Sequence, residues 1–242
     1  MTGGRRGFTL IELMIVIAII AVIAAIAIPG LIATQRSSYE RGASTSMKTL
    51  AVAESDFKVN DRDVNHVSDF WTADVKGLYT LTAAGVPGNG GGTTDPPLRL
   101  IELTLAAADS DGVTKAAGGE CMDLTQFAVF SSKSGYWFAA LTSDASVLGP
   151  ESTYATDTNG DPIMGSVHHL SKFGFVCYPD SSVLGKYVFI LNEGNTIFRS
   201  ATTTSVRQGS SYPPGAAGTG FPTVYQVWPD DPTMKAFWSK LD

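Results

Sequence analysis

One carboxylate, that of Glu12, lies three residues inside an apolar segment. Glu12 is followed by an unbroken apolar run from residue 13 to residue 28. An ionised carboxyl group in such surroundings is costly unless it is paired or held near the edge of the apolar region. Its available chemistry is ion pairing, because a carboxylate and an ammonium group each reduce the other's penalty for leaving water. Glu12 is therefore a candidate functional residue; the alternative is an incidental glutamate in a simple signal anchor.

A second group of oxygen-bearing side chains follows near residue 60. They stand at positions 1, 3, 5 and 9 of a loop, the spacing with which an EF-hand-like turn binds calcium, and they are Asp61, Asp63, Asn65 and Asp69. Two residues depart from that pattern, since His66 replaces the glycine of the sharp turn and Thr72 replaces the bidentate glutamate. The loop is either a calcium site or an Asx-rich turn that caps the preceding helix.

The other polar residues form no catalytic set that we recognise. His168 and His169 are adjacent, so on a regular strand they point to opposite faces and cannot share a metal ion. No serine has the sequence context of a nucleophile elbow. We therefore expect a protein that is not an enzyme and has no cofactor other than calcium.

The chain has two cysteines, Cys121 and Cys177. If the region beyond the apolar run lies in an oxidising compartment, an even count favours a disulfide between them, with two buried free thiols as the alternative. The bond would close a loop of about 56 residues, a stabilisation of about 3–4 kcal/mol in the chain-entropy model.

The element that positions Glu12 is the apolar segment itself. Residues 10–32 have about the length that a helix needs to cross roughly 30 Å of hydrocarbon, so we predict a transmembrane helix there. Arg5 and Arg6 precede it, and by the positive-inside rule they keep the N-terminus cytoplasmic and send the rest outward. A secretory signal peptide would place a small-residue cleavage site after the apolar region, and none is found there.

Residues 7–12, with the sequence GFTLIE, are followed by an Ile/Val/Ala run and Pro29. This stretch resembles the class III signal of type IV pilins and type II secretion pseudopilins. The resemblance implies that a prepilin peptidase of the membrane cleaves after Gly7 and N-methylates Phe8. It also implies that Glu12 pairs with the N-terminal amine of a neighbouring subunit in an assembled filament.

The resemblance also implies the domain organisation, with a leader at 1–7, a spine helix at 8–58 and a globular head at 59–242. Helical spacing supports the spine, since Ala43, Met47, Leu50, Ala53 and Phe57 fall on one stripe. The opposite face is predicted to carry Arg36, Glu40, Arg41, Lys48 and Glu54. Pro29 should kink or loosen the helix, and Gly42 marks a second weak point.

Beyond the spine, apolar and aromatic runs predict strands at 127–130, 136–141, 172–178 and 187–191. Residues 196–198 should pair with the last of these across the turn at 192–195. Residues 98–108 form either a short helix or a strand, and we favour the helix. We expect the Pro/Gly/Ser-rich tail at 208–232 to pack over the sheet through its interspersed aromatic residues. The predicted fold class is α+β, with a long N-terminal helix packed on an antiparallel sheet.

We conclude from the sequence that the chain is a filament subunit, of either a type IV pilus or a type II secretion pseudopilus. Its expected partners are other pilin-like subunits, the prepilin peptidase and an inner-membrane assembly platform, and its head is expected in the periplasm. The formal net charge of −6 argues against nucleic acid as a partner. The alternative is a membrane-tethered, calcium-dependent periplasmic binding module that does not polymerise.

Overall fold

The computed structural model describes residues 7–62, 66–81, 97–110, 124, 127–147, 153–154, 168–181, 183–202 and 227–241. Within these residues there is one long helix and several short ones. The helices are α1 (Leu10–Asn60), α2 (Gly77–Thr80), α3 (Leu103–Ala106) and α4 (Asp231–Phe237).

Helix α1 confirms the predicted spine and extends two residues beyond it. It continues without interruption through Pro29 and Gly42, so the weak point predicted at Gly42 is not a break. The glycine has a packing role instead, because a Cβ at this position would lie 3.1 Å from Ser134 Oγ. The helix ends at Asp61, whose backbone adopts the left-handed conformation with φ of 45°.

The second half of α1 packs one face against the head. The five predicted stripe residues are all buried: Ala43, Met47, Leu50, Ala53 and Phe57. Three assignments to the opposite face are wrong. Glu54 is completely buried and points into the head with the stripe. Arg36 Nε donates to Val183 O and Glu40 Oε1 accepts from Lys186 N, so both of these side chains also contact the head.

The strands of the head form one main sheet and two small ladders. They are β1 (Phe70–Trp71), β2 (Tyr136–Ala140), β3 (Ser143–Asp144), β4 (His168–His169), β5 (Gly174–Pro179), β6 (Tyr187–Asn192), β7 (Ile197–Ala201), β8 (Val227–Trp228) and β9 (Ser239–Lys240). The main sheet has the order β2-β5-β6-β7-β9 and is antiparallel throughout. In the ladders, β1 pairs antiparallel with β4 and β3 pairs parallel with β8.

The main sheet is covered on both faces, which explains why its strands are continuous apolar runs rather than alternating ones. Along β2, Tyr136 and Phe138 belong to the core shared with α1, whereas Trp137 and Ala139 belong to a second core on the far side. Trp228 and Trp238 from the C-terminal segment complete that second core. The predicted aromatic cover over the sheet is confirmed for Trp228; the part of the tail at 203–226 lies outside the described residues.

Two local predictions need correction. Residues 127–130 form a turn and an irregular segment rather than a strand, and Ser131 N donates to Ala107 O, outside any ladder. Phe127 and Phe130 pack at the margin of the core, and this packing accounts for their apolar character without strand pairing. In the 98–108 region only Leu103–Ala106 is helical. The hairpin at 192–195 is confirmed, with Leu191 opposite Ile197.

Candidate assembly site and buried polar cluster

The junction between Gly7 and Phe8 is exposed and lies outside the helix. Both residues are non-helical, and Phe8 retains 82% of its accessible surface. A Cβ built on Gly7 would meet no atom within 4 Å. The peptide bond that the resemblance marks for cleavage is therefore sterically open.

Glu12 is held at the first turn of α1 by a capping box with Thr9. Glu12 Oε2 accepts hydrogen bonds from Thr9 N at 2.9 Å and from Thr9 Oγ1 at 2.7 Å. In return, Thr9 Oγ1 accepts from Glu12 N at 3.3 Å. This reciprocal arrangement satisfies donors that every helix start leaves open. Both bonds use Oε2, and the described residues give Oε1 no donor, so this oxygen can still accept from another molecule.

The first half of α1 has no protein cover. In its most apolar window no residue is buried within the structure, and the large apolar side chains between Leu10 and Leu31 are exposed. Among the described residues it is the one helix long and apolar enough to cross a membrane. So large an apolar surface is unfavourable in water. It requires lipid or other copies of an apolar helix around it.

The structure describes two of the four predicted calcium ligands. Asp61 Oδ2 accepts from His66 N at 3.0 Å, and Asp61 Oδ1 is buried with no hydrogen-bond partner among the described residues. His66 has φ of 64°, so it adopts the left-handed turn for which glycine is usual at that loop position. Asp69 is buried, with Oδ1 3.3 Å from His168 Nδ1. Asp63 and Asn65 lie outside the described residues, and the calcium site stays a prediction.

Cys177 lies in β5, opposite Phe138 and Phe189; its side chain is completely buried and is bonded to no other cysteine among the described residues. Burial raises the pKa of this thiol well above its usual range. Cys121 lies outside the described residues, so the Cys121–Cys177 disulfide stays a prediction.

The two adjacent histidines point in different directions, as the strand geometry predicts. His168 faces inward, where its ring stacks on Phe57 with centroids 6.0 Å apart. His169 turns back on its own chain, and its Nδ1 accepts hydrogen bonds from Ser171 N and Lys172 N. The two rings therefore do not converge on one site.

The buried polar groups between α1 and the β1–β4 ladder form what we call the Glu54 cluster. Its members are Glu54, Asp69, Trp71 and His168. Glu54 Oε2 accepts from Trp71 N at 3.1 Å, and the Trp71 and His168 rings meet edge to face with centroids 5.3 Å apart. All four residues are at most 1% exposed.

The Glu54 cluster perturbs the ionisation of its central carboxyl group. Burial raises the pKa of Glu54 well above its usual range; the hydrogen bond from Trp71 N lowers it, and the negative charge of Asp69 raises it. The cluster ties the spine helix to the ladder through a carboxyl group that favours its protonated form.

The sequence analysis missed this cluster, although a signal for it exists. Ala43, Met47, Leu50, Glu54 and Phe57 follow each other at spacings of 4, 3, 4 and 3 residues, which places all five on one face of a helix. The prediction placed Glu54 on the exposed face because glutamate is charged, although its spacing matches that of the buried residues. The partners Asp69 and His168 are far apart in sequence, and no local pattern joins them.

Comparison with known proteins agrees with the geometry of the N-terminus. A family model for the prokaryotic N-terminal methylation motif matches residues 3–28. The chain is also 47% identical over 83 residues to a protein named type IV major pilin protein PilA from Myxococcus xanthus. That alignment covers 33% of this chain and spans 38% of the length of the relative. No solved structure matches the chain.

The motif at residues 3–28 and the exposed apolar helix behind it fit the N-terminal region of a protein that carries the N-terminal methylation motif. With the PilA similarity, they support a type IV pilin or pseudopilin, a structural rather than an enzymatic class. The apolar helix behind the motif fits anchoring in an inner membrane.

Proposed function

We propose that the chain is a structural subunit of a type IV pilus-like or type II secretion pseudopilus filament. In this proposal prepilin peptidase cleaves after Gly7 and methylates the new N-terminus at Phe8. Before assembly the subunit resides in the inner membrane with its head in the periplasm. An assembly platform then inserts it into the filament. Other pilin-like subunits are its partners there.

The proposal rests mainly on the surroundings of the Glu12 carboxylate. Its carboxylate lies at the start of a helix whose surface is apolar on every side, and its own chain supplies only the two donors of Thr9. When such helices bundle away from water, an unpaired carboxylate is costly. The methylated amine of a neighbouring Phe8 supplies the opposite charge, and this pairing sets the axial register between subunits.

Of the two filament types, the similarity to a type IV major pilin favours the pilus. A pilus subunit is expected in fibres sheared from the cell surface. A pseudopilus subunit is expected to be needed for the secretion of exoproteins, and its deletion then blocks secretion without removing surface fibres.

Processing is tested by intact-mass and N-terminal analysis of the chain purified from its native membrane. We expect a mature chain that begins at Phe8 and carries one methyl group on its amine. A Gly7→Val variant serves as the comparison. Its branched side chain fills the open space beside the peptide bond that is to be cleaved. This variant is therefore expected to keep its leader. Purification of the wild-type chain with an intact Met1 would refute the processing step and favour the tethered binding module.

We further propose that the Asp61 loop holds calcium. Asp61 Oδ1 is buried and has no hydrogen-bond partner in the part of the loop that the structure describes, and His66 adopts a left-handed turn; both features fit a cation-binding loop. Asp61, Asp63 and Asn65 would be the ligands. Asp69 would become a fourth ligand only if its carboxylate moved away from the His168 ring.

The calcium prediction is tested by thermal unfolding of the EDTA-treated chain in detergent micelles. Extracellular calcium modules reach dissociation constants of about 0.1 mM, so 10 mM calcium should stabilise the head by about 2.7 kcal/mol. An equal concentration of magnesium should have little effect, and Asp63→Asn should abolish the calcium response. An equal rise in melting temperature with both ions, or in the variant, would show that the loop is an ordinary turn.

A further inference from the structure

The head and α1 enclose a polar cavity just above the membrane-spanning segment. Its volume is about 210 Å³. The residues that line it share a polar or charged character, apart from Phe189 and Leu241, and they are Ser37, Glu40, Arg41, Ser44, Tyr187 and Arg199. Four of these lie on one face of α1, and the other two come from β6 and β7 of the main sheet.

The two guanidinium groups of the cavity have no carboxylate partner among the described residues. Arg199 stacks over the Tyr187 ring, with its guanidinium carbon 4.9 Å from the centroid, and its Nε lies 3.4 Å from Ser239 Oγ. The one carboxylate in the lining, Glu40, accepts a hydrogen bond from Lys186 N at 3.0 Å. The Ser44 hydroxyl group already donates to Arg41 O at 3.0 Å. The cavity therefore presents two guanidinium groups and the Ser37 hydroxyl group beside a carboxylate that is already engaged.

The cavity begins at the outer edge of the polar layer of the bilayer. The predicted span ends at Ile32, and with a rise of about 1.5 Å per residue Ser37 lies roughly 8 Å and Arg41 roughly 14 Å beyond it. The headgroup layer occupies about 5–8 Å on each side of the hydrocarbon. Helical side chains lean towards the helix N-terminus, so Arg41 leans towards the membrane and can extend its guanidinium to that layer.

From this placement we propose that the cavity binds the phosphate of an anionic phospholipid while the subunit resides in the membrane. Arginine suits this role because its planar guanidinium donates two parallel hydrogen bonds to a phosphate group. The Ser37 hydroxyl group and the Arg199 guanidinium complete a set of donors around the anion. The proposal depends on membrane anchoring through α1, but not on polymerisation.

The test uses the full chain in detergent micelles, titrated with phosphatidylglycerol or with phosphatidylcholine, and native mass spectrometry to count the bound lipids. We expect one phosphatidylglycerol to be retained at concentrations at which phosphatidylcholine, whose phosphate is neutralised by its choline, is not. Arg41→Gln should weaken this retention at least about tenfold, as expected for the loss of hydrogen bonds to a charged group. Arg41→Lys should also weaken it, because it keeps the charge but loses the two-pronged geometry.

The matched control is Lys48→Gln, which removes one exposed positive charge from the same helix outside the cavity. It should change retention by less than twofold. Equal retention in Arg41→Gln and in wild type, or an equal loss in Lys48→Gln, would overturn the proposal. Displacement of the lipid by submillimolar glycerol phosphate would also overturn it, since a free phosphate ester would then be the ligand. A chain that stays in aqueous solution without detergent would instead refute the membrane anchoring in the proposed function.

Discussion

A Glu12→Gln variant is expected to be processed like the wild type and to form no filaments. Glutamine has nearly the same shape and still offers an oxygen to Thr9, so the capping box at the helix start is largely preserved. It has no charge, however, and cannot offset the buried amine of a neighbouring subunit. Breaking a buried ion pair by removing one partner costs about 3–5 kcal/mol at each subunit contact, and this cost recurs along the filament.

The measurement compares the mass of the mature chain with the yield of fibres or pseudopilus filaments. Glu102→Gln is the matched control, because it removes a carboxylate that pairs with Lys133 in the head, far from the N-terminus. Thr9→Val separates capping from pairing, since it removes the hydroxyl bonds but leaves the Glu12 charge. It should weaken the helix start and still permit assembly. Normal filament yield from Glu12→Gln would contradict the pairing mechanism.

The spine was predictable because its two halves have strong, regular patterns. An unbroken apolar run specifies a membrane-length helix wherever it occurs, and the stripe from Ala43 to Phe57 has the periodicity of a helix with one buried face. The open junction at Gly7 and the position of Glu12 followed from a short local motif. These predictions required no knowledge of contacts distant in sequence.

The incorrect predictions concern residues whose structure is determined by tertiary packing rather than by the local sequence. Phe127 and Phe130 are apolar because they pack at the margin of the core, not because they form a strand. Glu54 is charged in isolation but is buried where Trp71 N gives it a donor. The cavity between Arg41 and Arg199 joins residues more than 150 positions apart. The periodicity of a local sequence does not predict a contact between residues so far apart.

The buried position of Glu54 makes the stability of the head depend on pH. Its folded-state pKa is raised, so over the range between the unfolded and folded values the native head binds a proton that the unfolded chain has released. The stabilisation is therefore fully present below the ordinary pKa of a glutamate and is lost as the pH rises through the folded-state value. Wild type is expected to melt at progressively lower temperature as the pH is raised above about 4.5.

A Glu54→Gln variant isolates this effect, because glutamine keeps an acceptor for Trp71 N and cannot ionise. The two proteins should be similar in stability at low pH, and the variant should become the more stable one as the pH rises. Glu54→Leu should be less stable than Glu54→Gln at low pH by about 1–3 kcal/mol, because it leaves the buried Trp71 N–H without an acceptor.

Thermal unfolding of the full chains in micelles, followed by tryptophan fluorescence with EDTA present, measures the difference. If the wild type gains stability relative to Glu54→Gln as the pH rises, Glu54 is ionised and compensated in the folded head. That outcome would require a positive charge in the cluster, for which a protonated His168 beside Asp69 is the available group. The sign of the pH dependence therefore decides whether the contact between spine and ladder is held by a neutral hydrogen bond or by a buried ion pair.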